Sequence, residues 1–150
     1  MYLCFSRSGY YRIKQMRKWL RYALALTVGL FAGSGVNMGL ITLGNSIIPL
    51  PAGTDTSTTE GLRQAITMFG PEHYVFPWLG HAVGTFVGVL IATFIQRSPS
   101  KIIPIIITSA FLIGGITMVV QIPSPLWFDL VDLCGAYLPM GYLAYIAARR

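Results

Sequence analysis

Four long apolar runs constrain this chain more than any other feature. They lie at about residues 19–43, 76–95, 102–120 and 126–148, each close to the roughly 20 residues that carry an α-helix across a ~30 Å hydrocarbon core. The composition agrees, with 54% hydrophobic and only 11% charged residues in 150, against about 25% charged in soluble globular domains. A chain this apolar needs lipid as its solvent. The expected fold is an all-α membrane protein, a four-transmembrane-helix bundle spanning residues 19–148, preceded by a basic arm over residues 1–18.

The net charge of +6 does not point to nucleic acid, because the cations are sorted by position. Arg7, Arg12, Lys14, Arg17, Lys18 and Arg21 lead into the first run, Arg97 and Lys101 lie between the second and third, and Arg149 and Arg150 stop the fourth. Only Arg63 falls in the long 44–75 loop, which also holds Asp55, Glu60 and Glu72. Lys and Arg collect on cytoplasmic loops, so both termini are expected inside and the long loop outside. The tryptophans agree, since indole rings favour the membrane interface. Trp19 opens the first run on the inner side, while Trp78 and Trp127 open the second and fourth on the outer side. The arm is expected to lie on anionic lipid. Small residues around Ala32–Ser34 resemble a signal-peptide processing site, but the apolar run continues to Leu43. That is past the 7–15 residues of a signal core, which favours a retained first helix.

The outer loop has its own punctuation. Pro49 and Pro51 forbid a continuous helix there, whereas Ser57 and Glu60 match a capping box. Leu62, Ala65, Ile66 and Phe69 then form one apolar stripe that Gly70 and Pro71 end. A short amphipathic helix on the outer surface is expected, and a lid over a substrate is the sharper alternative. Glu72 and His73 read as a solvated turn.

Lipid gives apolar helices no reason to associate, so close packing relies on small residues. Ala25, Gly29 and Gly33 recur at spacing four in the first run, with Gly35 and Gly39 beyond them, and Gly84, Gly88 and Ala92 do so in the second. These are expected to be helix-packing faces.

Ionisable groups inside a membrane are functional candidates by default. Here they are His81, Asp129 and Asp132, with Asn37 as a polar neighbour. With Ser124 as cap and Pro125 at the first helical position, Asp132 lies ~10 Å into the fourth helix, with Asp129 one turn shallower. His81 lies ~6 Å past Pro77 and Asn37 ~9 Å before Leu43, so all four belong to the outer half. A buried His–Asp hydrogen bond fixing helix register is the bland reading, and a proton or ion site the sharp one. One histidine and two aspartates without HxxxH or ExxH spacing do not make a metal set. No nucleophile elbow, P-loop or dinucleotide fingerprint is present, and no cofactor or enzymatic activity is implied. Cys4 and Cys134 stand alone and form no CxxC pair.

The strings Pro71-Glu72-His73, Phe76-Pro77, Gly80-His81-Ala82-Val83-Gly84-Thr85, Pro125-Leu126-Trp127-Phe128-Asp129 and Tyr137-Leu138-Pro139-Met140 resemble a group of small bacterial four-span membrane proteins. The resemblance covers about residues 20–146 and implies a bacterial inner membrane, without an activity. The first expectation for function is a structural or accessory subunit that packs on other membrane subunits, or on copies of itself, through its glycine faces. The second is a small proton-coupled transporter or ion-conducting protein using the His/Asp cluster.

Overall fold

The computed structural model describes residues 7–98 and 100–149, with side chains from residue 11 onward. Cys4, the first six residues of the basic arm and Arg150 lie outside the described residues. Helix α1 runs Arg7–Ile47, α2 Thr59–Ala65, α3 Val75–Gln96, α4 Ile102–Gln121, α5 Leu126–Asp132 and α6 Leu138–Ala147. A π-helical turn, Leu133–Tyr137, joins α5 to α6, and 3-10 turns at Ile66–Met68 and Pro71–Tyr74 complete the long connection. Four stretches are long and apolar enough to cross a membrane: Tyr11–Ile47, Pro71–Gln96, Ile102–Gln121 and Leu126–Ala147.

The basic arm is not a separate segment. From Arg7 it is the first part of α1, because residues 7–18 contain no proline and one early glycine, Gly9, so nothing stops helix propagation. Prolines end the helices elsewhere. Pro49 follows the end of α1 and Pro123 the end of α4, and the residue before a proline is pushed out of the α region. Helix α3 ends on Arg97, a non-glycine residue at φ 48°, with Pro99 two positions on.

Helices α1 and α3 run antiparallel and interlock backbone to backbone. A Cβ placed on Gly29 would lie 2.7 Å from Gly88 O, one on Gly33 would lie 2.6 Å from Gly84 O, and Gly88 and Gly84 return the same closeness to Gly29 O and Gly33 O at 2.8 Å. The next turn along meets a large side chain, since a Cβ on Gly80 would lie 2.6 Å from Asn37 Oδ1. Ala25 and Ala92, both fully buried, close the seam at its other end. Gly35 and Gly39 depart from the expected packing set: nothing lies within 4 Å of a Cβ on either. They sit on the opposite side of α1 from the seam, together with the exposed Leu24, Val28, Phe31 and Met38.

Helix α3 is central, packed against α1, α4 and α6. A cluster of Ala25, Val89, Ala92, Ile103, Ile107, Ala144 and Tyr145 fills one half, and Ala82, Ala136 and Tyr137 centre the other. The alternation of helix direction places residues 12–21, 97, 98, 100, 101 and 149 at one end, called the basic end below, and the 48–74 connection at the other, the loop end.

The connection is tied down more firmly than a solvated loop. Thr58, not Ser57, caps α2, its hydroxyl accepting from Gly61 N at 3.0 Å. Ser57 is taken by Asp55, whose Oδ1 accepts from Ser57 N at 2.8 Å and Ser57 Oγ at 2.6 Å. These two hydrogen bonds hold the Asp55 carboxyl below the usual carboxylate range. Arg63 Nε and Nη2 donate to Gln121 O at 3.1 and 2.6 Å, so its cation caps the C-terminal end of α4, where the helix dipole is negative. His73 corrects the expected solvated turn. Its ring stacks on Phe69 at 4.9 Å, its Nδ1 lies 3.1 Å from Gly70 N, and its Nε2 lies 3.3 Å from Pro49 O. Tyr74 packs on Trp127 and Phe128 beside it.

Candidate functional site

His81 and Asp132 are 51 residues apart in sequence and meet in the loop-end half. His81 Nδ1 lies 2.8 Å from Asp132 Oδ1 and 2.9 Å from Oδ2. The carboxylate is 2% exposed, and its second partner is the Tyr137 hydroxyl, which donates to Oδ2 at 3.1 Å. The imidazole and phenol rings stack with centroids 5.7 Å apart. Both oxygens of a buried carboxylate are thus engaged, which offsets the desolvation that makes an isolated buried charge costly.

Tyr137 was not legible as a member of this cluster. On a regular α-helix of 3.6 residues per turn, positions 132 and 137 point about 140° apart. The π turn at Leu133–Tyr137, closed by i to i+5 hydrogen bonds, brings them onto one face. Its cause is local. Pro139 has no N–H to give the carbonyl of Gly135, and its ring crowds that carbonyl, so the helix widens by one residue just before it. Room for the phenol comes from α4, where a Cβ on Gly115 would collide with the Tyr137 hydroxyl and ring. Among sequence signals, Pro139 inside an apolar run was the one that could have pointed to the bulge.

The remaining expected residues divide. Asp129 does not join the cluster: it accepts a short hydrogen bond from the Ser124 hydroxyl. That contact replaces the expected cap, and the residue at the N-cap of α5 is Pro125. Asn37 lies in the α1–α3 seam against Gly80, with its Oδ1 buried and unpaired. Trp78 Nε1, Thr85 Oγ1 and the Tyr74 hydroxyl are likewise buried without a partner. Trp78, His81 and Thr85 are spaced i, i+3, i+7 along α3, which is one helix face. The half of the protein that holds the His81–Asp132 pair therefore also holds these four unpaired polar atoms, each costing about 1–3 kcal/mol if dry. Among the described residues, no group of three or more His, Cys, Asp or Glu side chains is placed to hold a metal.

Comparison with protein-family models, with curated proteins and with solved structures finds no match. The geometry alone bears on function.

Proposed function

We propose that the chain is a small integral membrane protein, a four-span bundle in a bacterial inner membrane with both termini cytoplasmic, and that it serves as an accessory subunit docked to a larger membrane complex through α1. The orientation rests on the cations gathered at the basic end, which the positive-inside rule assigns to the cytoplasm. The observation that carries the role is the free side of α1. Only 17% of its most apolar window is buried, against 44% for the span that contains α3. Its open face sets Gly35 and Gly39 one turn apart with no neighbour within 4 Å. Small residues facing outward on a membrane helix offer a partner helix close backbone approach and offer lipid nothing.

The test is purification of a tagged chain from its native membrane in mild detergent, paired with Gly35→Leu/Gly39→Leu. Larger subunits should co-purify stoichiometrically with the native chain and be lost from the variant, whose own thermal unfolding in detergent should not fall. A native chain that emerges alone and monodisperse overturns the accessory role, and one that emerges as an oligomer of itself assigns the face to a second copy.

The His81–Asp132–Tyr137 cluster favours a second reading, a proton-coupled function. An imidazole held on a buried carboxylate is a proton-exchanging pair, and the unpaired Asn37, Trp78 and Thr85 atoms give water or a transported ion places to bind. Proteoliposomes of the native chain would then dissipate a pH gradient, and Asp132→Asn would abolish the flux. No flux from the native chain removes this reading.

A further inference from the structure

The basic end holds a cleft of about 350 Å³ between α1 and residues 96–98. Lys14, Arg17, Lys18 and Arg21 line it from α1, and Arg97 lines it from the end of α3. No carboxylate is among its lining residues. The four α1 cations fall at i, i+3, i+4 and i+7, which is one helix stripe, and so concentrate positive charge along one wall of the cleft. Arg97 adds a fifth cation from a position, φ 48°, where an L-residue costs about 1 kcal/mol or more and glycine would not.

Gln96, 1% exposed, is part of the same wall. Its Nε2 donates to Ser98 O at 3.0 Å and Ser100 O at 2.7 Å, and its Oε1 is buried with no partner. That oxygen only accepts, so whatever satisfies it, a water or a ligand hydroxyl, must donate. A second cleft of about 410 Å³ shares Lys18, Tyr22 and Ser98 with the first and is walled by Trp19 and Ile102, two exposed apolar side chains. A free phosphate would use only the cationic part. An amphiphile uses both.

We propose that these joined clefts seat an anionic phospholipid: its phosphodiester between Lys14, Arg17, Lys18, Arg21 and Arg97, a headgroup hydroxyl toward Gln96, and its glycerol and upper acyl carbons against Trp19 and Ile102. Basic pockets between helices on the cytoplasmic side are suited to such headgroups, and charge-assisted hydrogen bonds to phosphate are the strong kind. The site rests on the basic end lying at a membrane surface, and it is independent of the accessory role.

The experiment is native mass spectrometry of the full chain, released from detergent micelles doped with equal amounts of phosphatidylglycerol and phosphatidylcholine. The chain should retain phosphatidylglycerol at least tenfold over phosphatidylcholine. Phosphatidylethanol, a phosphodiester of the same single charge without headgroup hydroxyls, should be retained less than phosphatidylglycerol, and equal retention of the two would overturn the headgroup contact to Gln96. In Arg17→Gln/Lys18→Gln/Arg21→Gln, all exposed positions, the preference over phosphatidylcholine should fall by at least about fivefold, toward equal retention. Equal retention of phosphatidylglycerol and phosphatidylcholine, or unchanged selectivity in the variant, overturns the site. Displacement of the lipid by an equal concentration of inorganic phosphate assigns the cleft to a soluble anion and overturns the lipid. Recovery of the chain in the soluble rather than the membrane fraction would instead refute the spanning topology, so the two failures are distinguishable.

Discussion

Gly33 and Gly35 are two residues apart on one helix and should respond oppositely to the same methyl group. A Cβ on Gly33 would lie 2.6 Å from Gly84 O and 2.6 Å from Phe111 Cζ, about 1 Å short of ordinary carbon contact. The Phe111 ring can turn, but Gly84 O is backbone, so relief requires α1 and α3 to separate along the whole seam. Overpacking of this kind costs about 1–3 kcal/mol. A Cβ on Gly35 would touch nothing within 4 Å, leaving only alanine's helix advantage of about 1 kcal/mol. Both substitutions share that advantage, so the difference between Gly33→Ala and Gly35→Ala isolates the packing cost. It corresponds to a Tm gap of roughly 2–12 °C at about 2–4 °C per kcal/mol for a chain of this size. Thermal unfolding of both variants in one detergent measures it, with Gly35→Ala at or above the native Tm. Equal midpoints would refute the interlocked seam and with it the assignment of the opposite face as free.

Other substitutions test the remaining contacts. Tyr137→Phe removes one of the hydrogen bonds to the buried Asp132 and should cost about 1–3 kcal/mol, read as a lower Tm in detergent; a native Tm would show that the hydroxyl does not reach the carboxylate. Gly115→Ala should displace the same phenol and destabilise comparably, while in a Tyr137→Leu background it should cost markedly less, because coupled neighbours are not additive. Full additivity would separate the two sites. Arg63→Ala should lower global stability by less than about 1 kcal/mol, since the side chain is partly exposed, yet speed hydrogen exchange at the end of α4 and across α2. Unchanged exchange at residues 118–122 would remove Arg63 as the cap of that helix.

How far the sequence reaches depends on the range of the forces involved. The four helices long and apolar enough to span were legible, because hydrocarbon forces each backbone N–H and C=O to find its partner within the segment, and run length is a local property. The gathering of cations at one end followed from the same count, since an even number of alternating helices returns to the side it left. The spacing of Gly29, Gly33, Gly84 and Gly88 was equally visible, but it did not distinguish them from Gly35 and Gly39, which a partner-blind pattern groups together.

Tertiary structure decided which face of each helix turned inward. Rotation about a helix axis costs little in an isolated apolar helix and is fixed only by contact with neighbours. The α1–α3 seam thus set which glycines were buried, left Asn37 against Gly80, and aimed His81 at an aspartate 51 residues away. Tyr137 joined them through a π turn that shifts the helical register locally, and through space left by Gly115 on another helix. Arg63 was conspicuous in the sequence as the lone cation of the 44–75 loop, but only the folded chain supplied the Gln121 carbonyl it caps. Periodicity along one segment carries no information on such meetings, because register and rotation are settled by the packing of all the helices together.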